Sequence, residues 1–127
     1  MLSSDTTLKK TPLYEEHLSL QAKMVGFGGW DMPLQYKGIL DEYQATRRSI
    51  GIFDTSHMGE FLVEGEAGKS GLDRLVTCTI DAMPIKTCRY GLLLNERAGT
   101  IDDLIVFRLS KERWFIVVNA GTTPKDA

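Results

Sequence analysis

Three apolar runs in the C-terminal part of the chain constrain its fold more than anything else. Tyr90–Leu94, Asp102–Leu109 and Trp114–Asn119 are rich in Leu, Ile, Val and aromatic residues, with the turn-like stretches "NERAG" and "SKER" between them. Short apolar runs bounded by turn residues read as strands, with buried helix the weaker alternative, and connections this brief join antiparallel neighbours. A fourth stretch, "EFLVE" at Glu60–Glu64, alternates polar and apolar residues as a half-buried strand does.

Helical signals lie around these strands. Thr11-Pro12 reads as a helix start, with Thr at the N-cap, Pro in the first turn, and Glu15 and Glu16 near the positive end of the dipole. Leu13, His17 or Leu18, and Leu20 would form a short apolar face. A second helix is expected from roughly Tyr36 to Ile50, with Ile39, Leu40, Tyr43 and Ile50 near helical spacing. Asp41 and Glu42 come early in it, Arg47 and Arg48 late, and Gly51 follows as a stop. Gly68–Thr77 reads as a short helix weakened by Gly71. "TTPKDA" repeats the Thr-Pro start at Thr123-Pro124, so a helix is expected to begin there and stop after one turn, as in the N-terminal part of a longer protein. The expected class is α+β, an antiparallel sheet with flanking helices.

The chain has 127 residues, 43% hydrophobic and 25% charged, with a net charge of -2. That is enough to bury a core without disulfide or metal staples. The charge gives no electrostatic reason to bind nucleic acid or an anionic membrane, and no apolar run approaches the ~18 residues of a spanning helix. Residues 1–10 have neither an apolar signal segment nor any Arg. They read as a disordered lead-in of a cytoplasmic protein, with a single domain over 11–127. Cys78 and Cys88 are not in CxxC spacing; one disulfide or two thiols are the options, and composition favours reduced thiols.

Few residues offer chemistry on their own. "GFGGW" is neither a dinucleotide fingerprint nor a P-loop, and it runs into Asp31-Met32-Pro33, where a helix would start poorly. Its glycines fit a tight turn or close backbone packing. "DTSHM" at Asp54–Met58 puts Asp, Ser and His together in sequence, which is not triad geometry. His17 and His57 are too isolated for a metal site. The acid pair in "TIDDLIVF" at Thr100–Phe107 is more informative. On a strand, Asp102 and Asp103 point to opposite faces and cannot form a one-sided dyad. Asp102 shares a face with Leu104 and Val106, and Asp103 with Ile105 and Phe107, so the strand is expected to be covered on both sides. Two readings of the pair remain: both belong to the turn after Gly99, or one lines a cavity.

Taken together, "TPLYEEHLSLQAKMVGFGGWDMPLQYKGILDEY", "RRSIGIFDTSHMGEFLVEG", "YGLLLNERAGTIDDLIVFRL" and "WFIVVNA" resemble, in collinear order from about Leu8 to the last residue, the glycine cleavage system T-proteins. These are tetrahydrofolate-dependent aminomethyltransferases. The resemblance implies an α+β fold whose first domain is built around an antiparallel sheet. It implies transfer of a one-carbon unit from an aminomethyl group on the lipoyl arm of the H-protein to tetrahydrofolate, with release of ammonia, at a site that needs no metal. The family's catalytic acid matches Asp102, leaving Asp103 structural. Met58, Leu62, Tyr90, Val117 and Asn119 match residues near the folate; strand parity puts Met58 with Leu62 and Val117 with Asn119. Core packing is the alternative for Met58, Leu62 and Val117, and a strand-end turn for Asn119.

There are departures from the family pattern. Ala98-Gly99 stands where the family has two glycines, and "VTCT" at Val76–Thr79 replaces "TTND". Family members also run well past Ala127, with further folate contacts there, so the resemblance implies a fragment that binds folate poorly and turns over little. Two other readings share the scaffold: a folate-dependent demethylase relative and a non-catalytic folate-binding protein.

Overall fold

The structure is a computed structural model that describes residues 7–127. The chain divides into two compact units, one ending at His57 and the other covering Met58–Ala127.

The first unit contains β1 (Lys9–Lys10), α1 (Tyr14–Ser19), β2 (Lys23–Phe27), β3 (Trp30–Gln35) and α2 (Ile39–Arg48). Its sheet has the order β1-β3-β2, with β1 parallel and β2 antiparallel to β3. The glycine cluster makes the β2–β3 turn. Gly28 and Gly29 take φ of 56° and 84°, and Phe27 pairs with Trp30 across them. Two consecutive positive-φ residues match the strand twist in a two-residue hairpin, and glycine adopts them without strain. Pro33 cannot donate to the ladder, and the register shifts beside it, between Lys23 and Met24.

Three expectations for this unit need correcting. The proposed disordered lead-in over 1–10 falls partly outside the described residues, but within them Lys9 and Lys10 form β1, paired with Trp30 and Asp31. The first helix starts at Tyr14 rather than Pro12: Tyr14 N–H donates to the Thr11 carbonyl (3.1 Å) in a preceding turn, and no side chain caps the helix. The second helix starts at Ile39 rather than Tyr36 because the backbone N–H groups of Tyr36, Lys37 and Gly38 all donate to Glu42 Oε1, at 2.7, 2.9 and 3.1 Å. That wraps the three residues around a carboxylate instead of into the helix. The same bonds, that from Tyr36 foremost, hold the Glu42 carboxyl below its usual range.

A buried polar cluster ties the unit together. His17 Nε2 lies 2.8 Å from Asp54 Oδ2, and the Tyr36 hydroxyl lies 2.8 Å from His17 Nδ1. The His17 and Asp54 side chains are 6% and 1% exposed. An imidazole protonated at Nε2 donates to Asp54 and accepts from Tyr36. The Asp of "DTSHM" therefore serves His17, far away in sequence, not its neighbour His57. Burial alone would raise the Asp54 carboxyl, but the bonds from His17 and the Ser56 N–H outweigh it and hold the group well below the usual carboxylate range.

The second unit contains β4 (Gly59–Glu64), α3 (Ala67–Ser70), α4 (Leu72–Leu75), β5 (Thr87–Leu94), β6 (Thr100–Arg108), β7 (Arg113–Val118) and α5 (Thr123–Asp126). The strands form an antiparallel sheet in the order β4-β7-β6-β5. The three apolar runs are thus adjacent strands of a meander. The expected helix after Gly68 splits into α3 and α4 at Gly71, where φ is 78°. Leu72 of α4, Ile80, Met83, Val106, Trp114 and Val118 form the heart of the core on one face of the sheet. Trp114 Nε1–H donates to the Gly65 carbonyl (3.1 Å), satisfying the one polar atom of a fully buried ring. Both cysteines are free thiols.

The expectation that β6 is covered on both faces is not met among the described residues. Asp102, Leu104 and Val106 are buried, whereas Asp103 and Ile105 are exposed. The alternation is that of an antiparallel sheet with one face on the core.

Candidate functional site on the open face of the second sheet

The open face of the β4-β7-β6-β5 sheet carries an ordered grid of side chains. Tyr90 of β5 pairs with Ile105 of β6, which pairs with Val117 of β7. Partners across a ladder share a face, so these three form one row. The next row holds Phe107, Phe115 and Leu62. On the other side of the first row lies Asp103, which pairs with Leu92. Met58 immediately precedes β4 and is half-buried, and Asn119 immediately follows β7. Of the residues singled out from sequence, Leu62, Tyr90 and Val117 share this face, and Asn119 reaches its edge.

Asp102 lies on the other face. It is 6% exposed, at the end of the core. Its Oδ2 accepts the Asn119 N–H (2.9 Å) and the Thr122 hydroxyl (2.7 Å), and its Oδ1 accepts from Asn119 Nδ2 (2.8 Å). Burial pushes its carboxyl up, but these donors outweigh burial and leave it below its ordinary value. These three bonds all come from the chain that leaves β7.

Asp103 is in the opposite situation. Its side chain is exposed, and its Oδ1 accepts from the same Asn119 Nδ2, at 2.9 Å. The Asn119 amide therefore bridges two carboxylates that point to opposite faces. Partial desolvation first, and then the Asp103 carboxylate, push the Tyr90 phenol above its usual value. The register shift between Leu93 and Leu94 leaves Ile101 as an extra residue just before the acid pair. A bulge at that point re-aims the strand where the two acids sit. The acid pair thus lies inside the strand rather than in the turn after Gly99.

The departures from the family pattern also have structural places. Ala98 sits in the left-handed region, with φ of 59°, and its N–H donates to the Asn95 carbonyl (2.9 Å). In "VTCT", Val76 bridges to Leu93, and the Thr77 hydroxyl accepts the Leu92 N–H (2.9 Å), so the stretch covers the free edge of β5. No group of three or more His, Cys, Asp or Glu side chains that could hold a metal ion occurs among the described residues, and none of their helices is long and apolar enough to cross a membrane.

The arrangement is an apolar, partly aromatic platform with the accessible Asp103 carboxylate at one edge and the exposed Glu60 and Glu64 carboxylates along β4. A flat heterocycle with N–H groups or developing positive charge suits it.

Residues 13–127 match the family model described as the GCVT N-terminal domain. The chain belongs to the GCVT N-terminal domain family. An aminomethyltransferase of Thermotoga maritima is 47% identical over 119 residues, which cover 94% of this chain and 33% of the relative. One of Thermus thermophilus is 46% identical, over 94% of this chain and 34% of the relative. Among solved structures, the glycine cleavage system aminomethyltransferase T of Bartonella henselae superposes with a TM-score of 0.89 at 44% identity, covering 94% of this chain and 34% of that one. This GCVT-family chain therefore spans about a third of the length of the relatives it matches, and its α+β fold is theirs.

Proposed function

We propose that the chain contributes the folate-facing sheet of a cytoplasmic glycine cleavage aminomethyltransferase, acting with lipoylated H-protein. The observation that carries this reading is the grid of Leu62, Val117, Ile105 and Tyr90 with Asp103 at its edge. The residues fit tetrahydrofolate: the apolar rows offer a flat surface for a pterin, Tyr90 flanks it, and Asp103 offers an acceptor to a ring nitrogen. When bound, tetrahydrofolate supplies the nitrogen nucleophile that takes up the one-carbon unit, and ammonia and the dihydrolipoyl arm leave.

In this reading the catalytic acid is Asp103 rather than Asp102, a choice supported by the exposure of Asp103 on the open face and the burial of Asp102. An ionised Asp103 can accept a proton from the reacting nitrogen, or stabilise positive charge beside it, at the edge of an apolar surface. Asp102 has no free acceptor on that face and is a positioning residue: it fixes Asn119, which in turn fixes Asp103. Met58 and Asn119 complete the edge of the platform.

The test uses the protein in its full natural length, with lipoylated H-protein and tetrahydrofolate. Asp103→Asn is expected to lower kcat about a hundredfold or more while leaving folding intact. Asp102→Asn should act first on stability. A larger loss of kcat for a still-folded Asp102→Asn would return the catalytic role to Asp102. Turnover that does not need lipoylated H-protein would point to the demethylase reading, and folate binding without turnover to a binding protein.

A further inference from the structure

Asp126, in the last turn of α5, takes no part in the reading above. Both of its carboxylate oxygens are cut off from solvent, and neither meets an N–H or O–H donor among the described residues. Its backbone is fixed by α5, where the Asp126 N–H donates to the Thr122 carbonyl (3.2 Å). Thr122, one turn earlier and just before α5, donates its hydroxyl to Asp102 (2.7 Å) and accepts the Asp126 N–H at its carbonyl, which brings the Asp126 carboxyl beside that of Asp102, whose oxygens already accept three bonds from Asn119 and Thr122. Among the described residues an ionised Asp126 would be a buried charge with no partner, next to a second negative charge. That is the costliest state available to it. A proton on Asp126 removes the charge and supplies the missing donor, aimed at Asp102.

We infer that Asp126 and Asp102 form a carboxyl–carboxylate pair that shares one proton and, through Asn119, sets the position of Asp103. Asp126 is thus a further positioning residue, and its link to catalysis rests on the function proposed above. The pair itself does not.

The charges around it agree. Asp102 faces it from β6, Lys125 stands beside it on α5, and Asp103 lies beyond the Asn119 amide. Burial first, and Asp102 second, push the Asp126 carboxyl up, with the nearby Thr122 hydroxyl and then Lys125 opposing, while Asp102 stays below its ordinary value. Two interacting acids titrate as a pair, and between their two steps the pair holds one proton. Asp126 binds its proton more tightly folded than unfolded. Its contribution to stability is therefore complete below the unfolded carboxylate range and is lost as pH rises through the raised folded value. Above that point two negative charges face each other, α5 loosens from β6, and Asn119 loses its anchor.

The experiment compares the full-length protein with Asp126→Asn, whose amide donates to Asp102 at every pH. Thermal midpoints are measured from pH 4 to pH 9 in steps of about one unit, the span of a tenfold change in protonation. The parent midpoint is expected to fall relative to the variant as pH rises, by the linkage of one proton. A constant difference across the range would overturn the pair. Carbon-13 carboxyl titration of the parent gives the same answer without a variant. One carboxyl titrating above the ordinary Asp range and shifting when Asp102 is replaced supports the pair; Asp126 titrating at or below that range overturns it. For the positioning role, the parent's kcat should decline on the alkaline side at the same midpoint, with KM following less, and Asp126→Asn should lack that decline. If the midpoint difference appears but no folate turnover is found, the proposed function fails and the pair stands.

Discussion

Ala98, like Gln21 and Lys86, is a non-glycine residue with a left-handed backbone. It holds φ of 59° in the turn between β5 and β6. A Cβ in the left-handed region costs about 1–2 kcal/mol, and glycine is the usual occupant of this position in a hairpin of this kind. Ala98→Gly should therefore raise stability, by about 0.5–1 kcal/mol once the extra freedom of glycine in the unfolded chain is subtracted. A denaturant midpoint that does not rise would show that the turn carries no strain. Its neighbour is the opposite case: a Cβ on Gly99 would come within 2.8 Å of the Asn95 side chain, which already accepts the Gly99 N–H (2.9 Å). Gly59 is confined more tightly still, by Thr123 and Val118. Both of those side chains are β-branched and short, with no flexible end to give way. Gly59→Ala should cost about 1–3 kcal/mol as overpacking, read as a lower thermal midpoint at unchanged folate affinity per folded molecule.

At the scale of elements, α1 depends on tertiary partners rather than on its own sequence. It has six residues, too few to hold as an isolated helix, and its only buried side chain is His17, bonded to Asp54 and Tyr36. Removing one partner leaves the other buried and unpaired, so His17→Ala should cost about 3 kcal/mol or more near neutral pH. The folded Asp54 carboxyl is lowered, so its contribution is present above the unfolded carboxylate range and is lost as pH falls through the folded value. The gap between parent and variant should therefore narrow in strong acid; a gap independent of pH would mean that the cost is packing alone. The strands of the second unit were legible from sequence because alternation and turn residues are local signals, and all four strands recur within a few residues of their expected bounds. The helix starts were less legible. Thr11 and Tyr36 carry the correct local chemistry, but Glu42 gathers the N–H groups that α2 would have used, and that competition is tertiary. His17 read as part of an apolar face for the same reason, since its partner lies 37 positions away.

For the whole molecule, the candidate site was legible as a set of residues but not as an arrangement. Alternation put Asp102 and Asp103 on opposite faces, yet which face was the core depended on Leu104 and Val106 packing against α4 and the segment holding Ile80 and Met83. No local pattern encodes that choice. The same asymmetry separates the two units. The buried apolar cluster lies entirely within Met58–Ala127, whereas Met32 is the one buried hydrophobic among the described residues up to His57. Burial of apolar surface is the dominant favourable contribution to folding, so the second unit should be the more stable. The two tryptophans report on the units separately. Trp114 is fully buried in the second core, and Trp30 is half-buried in the first unit, with the Lys9 ammonium 5.5 Å from its ring centroid. Single-tryptophan variants, Trp30→Phe and Trp114→Phe, should then show two denaturation curves, with the Trp30 signal changing at lower urea than the Trp114 signal. Because Trp114→Phe removes the Gly65 bond as well as volume, a fluorine label on Trp114 in the unmutated chain provides the control. Coincident curves in both formats would mean that the units unfold as one cooperative body, and that the core of the second stabilises the polar clamp of the first.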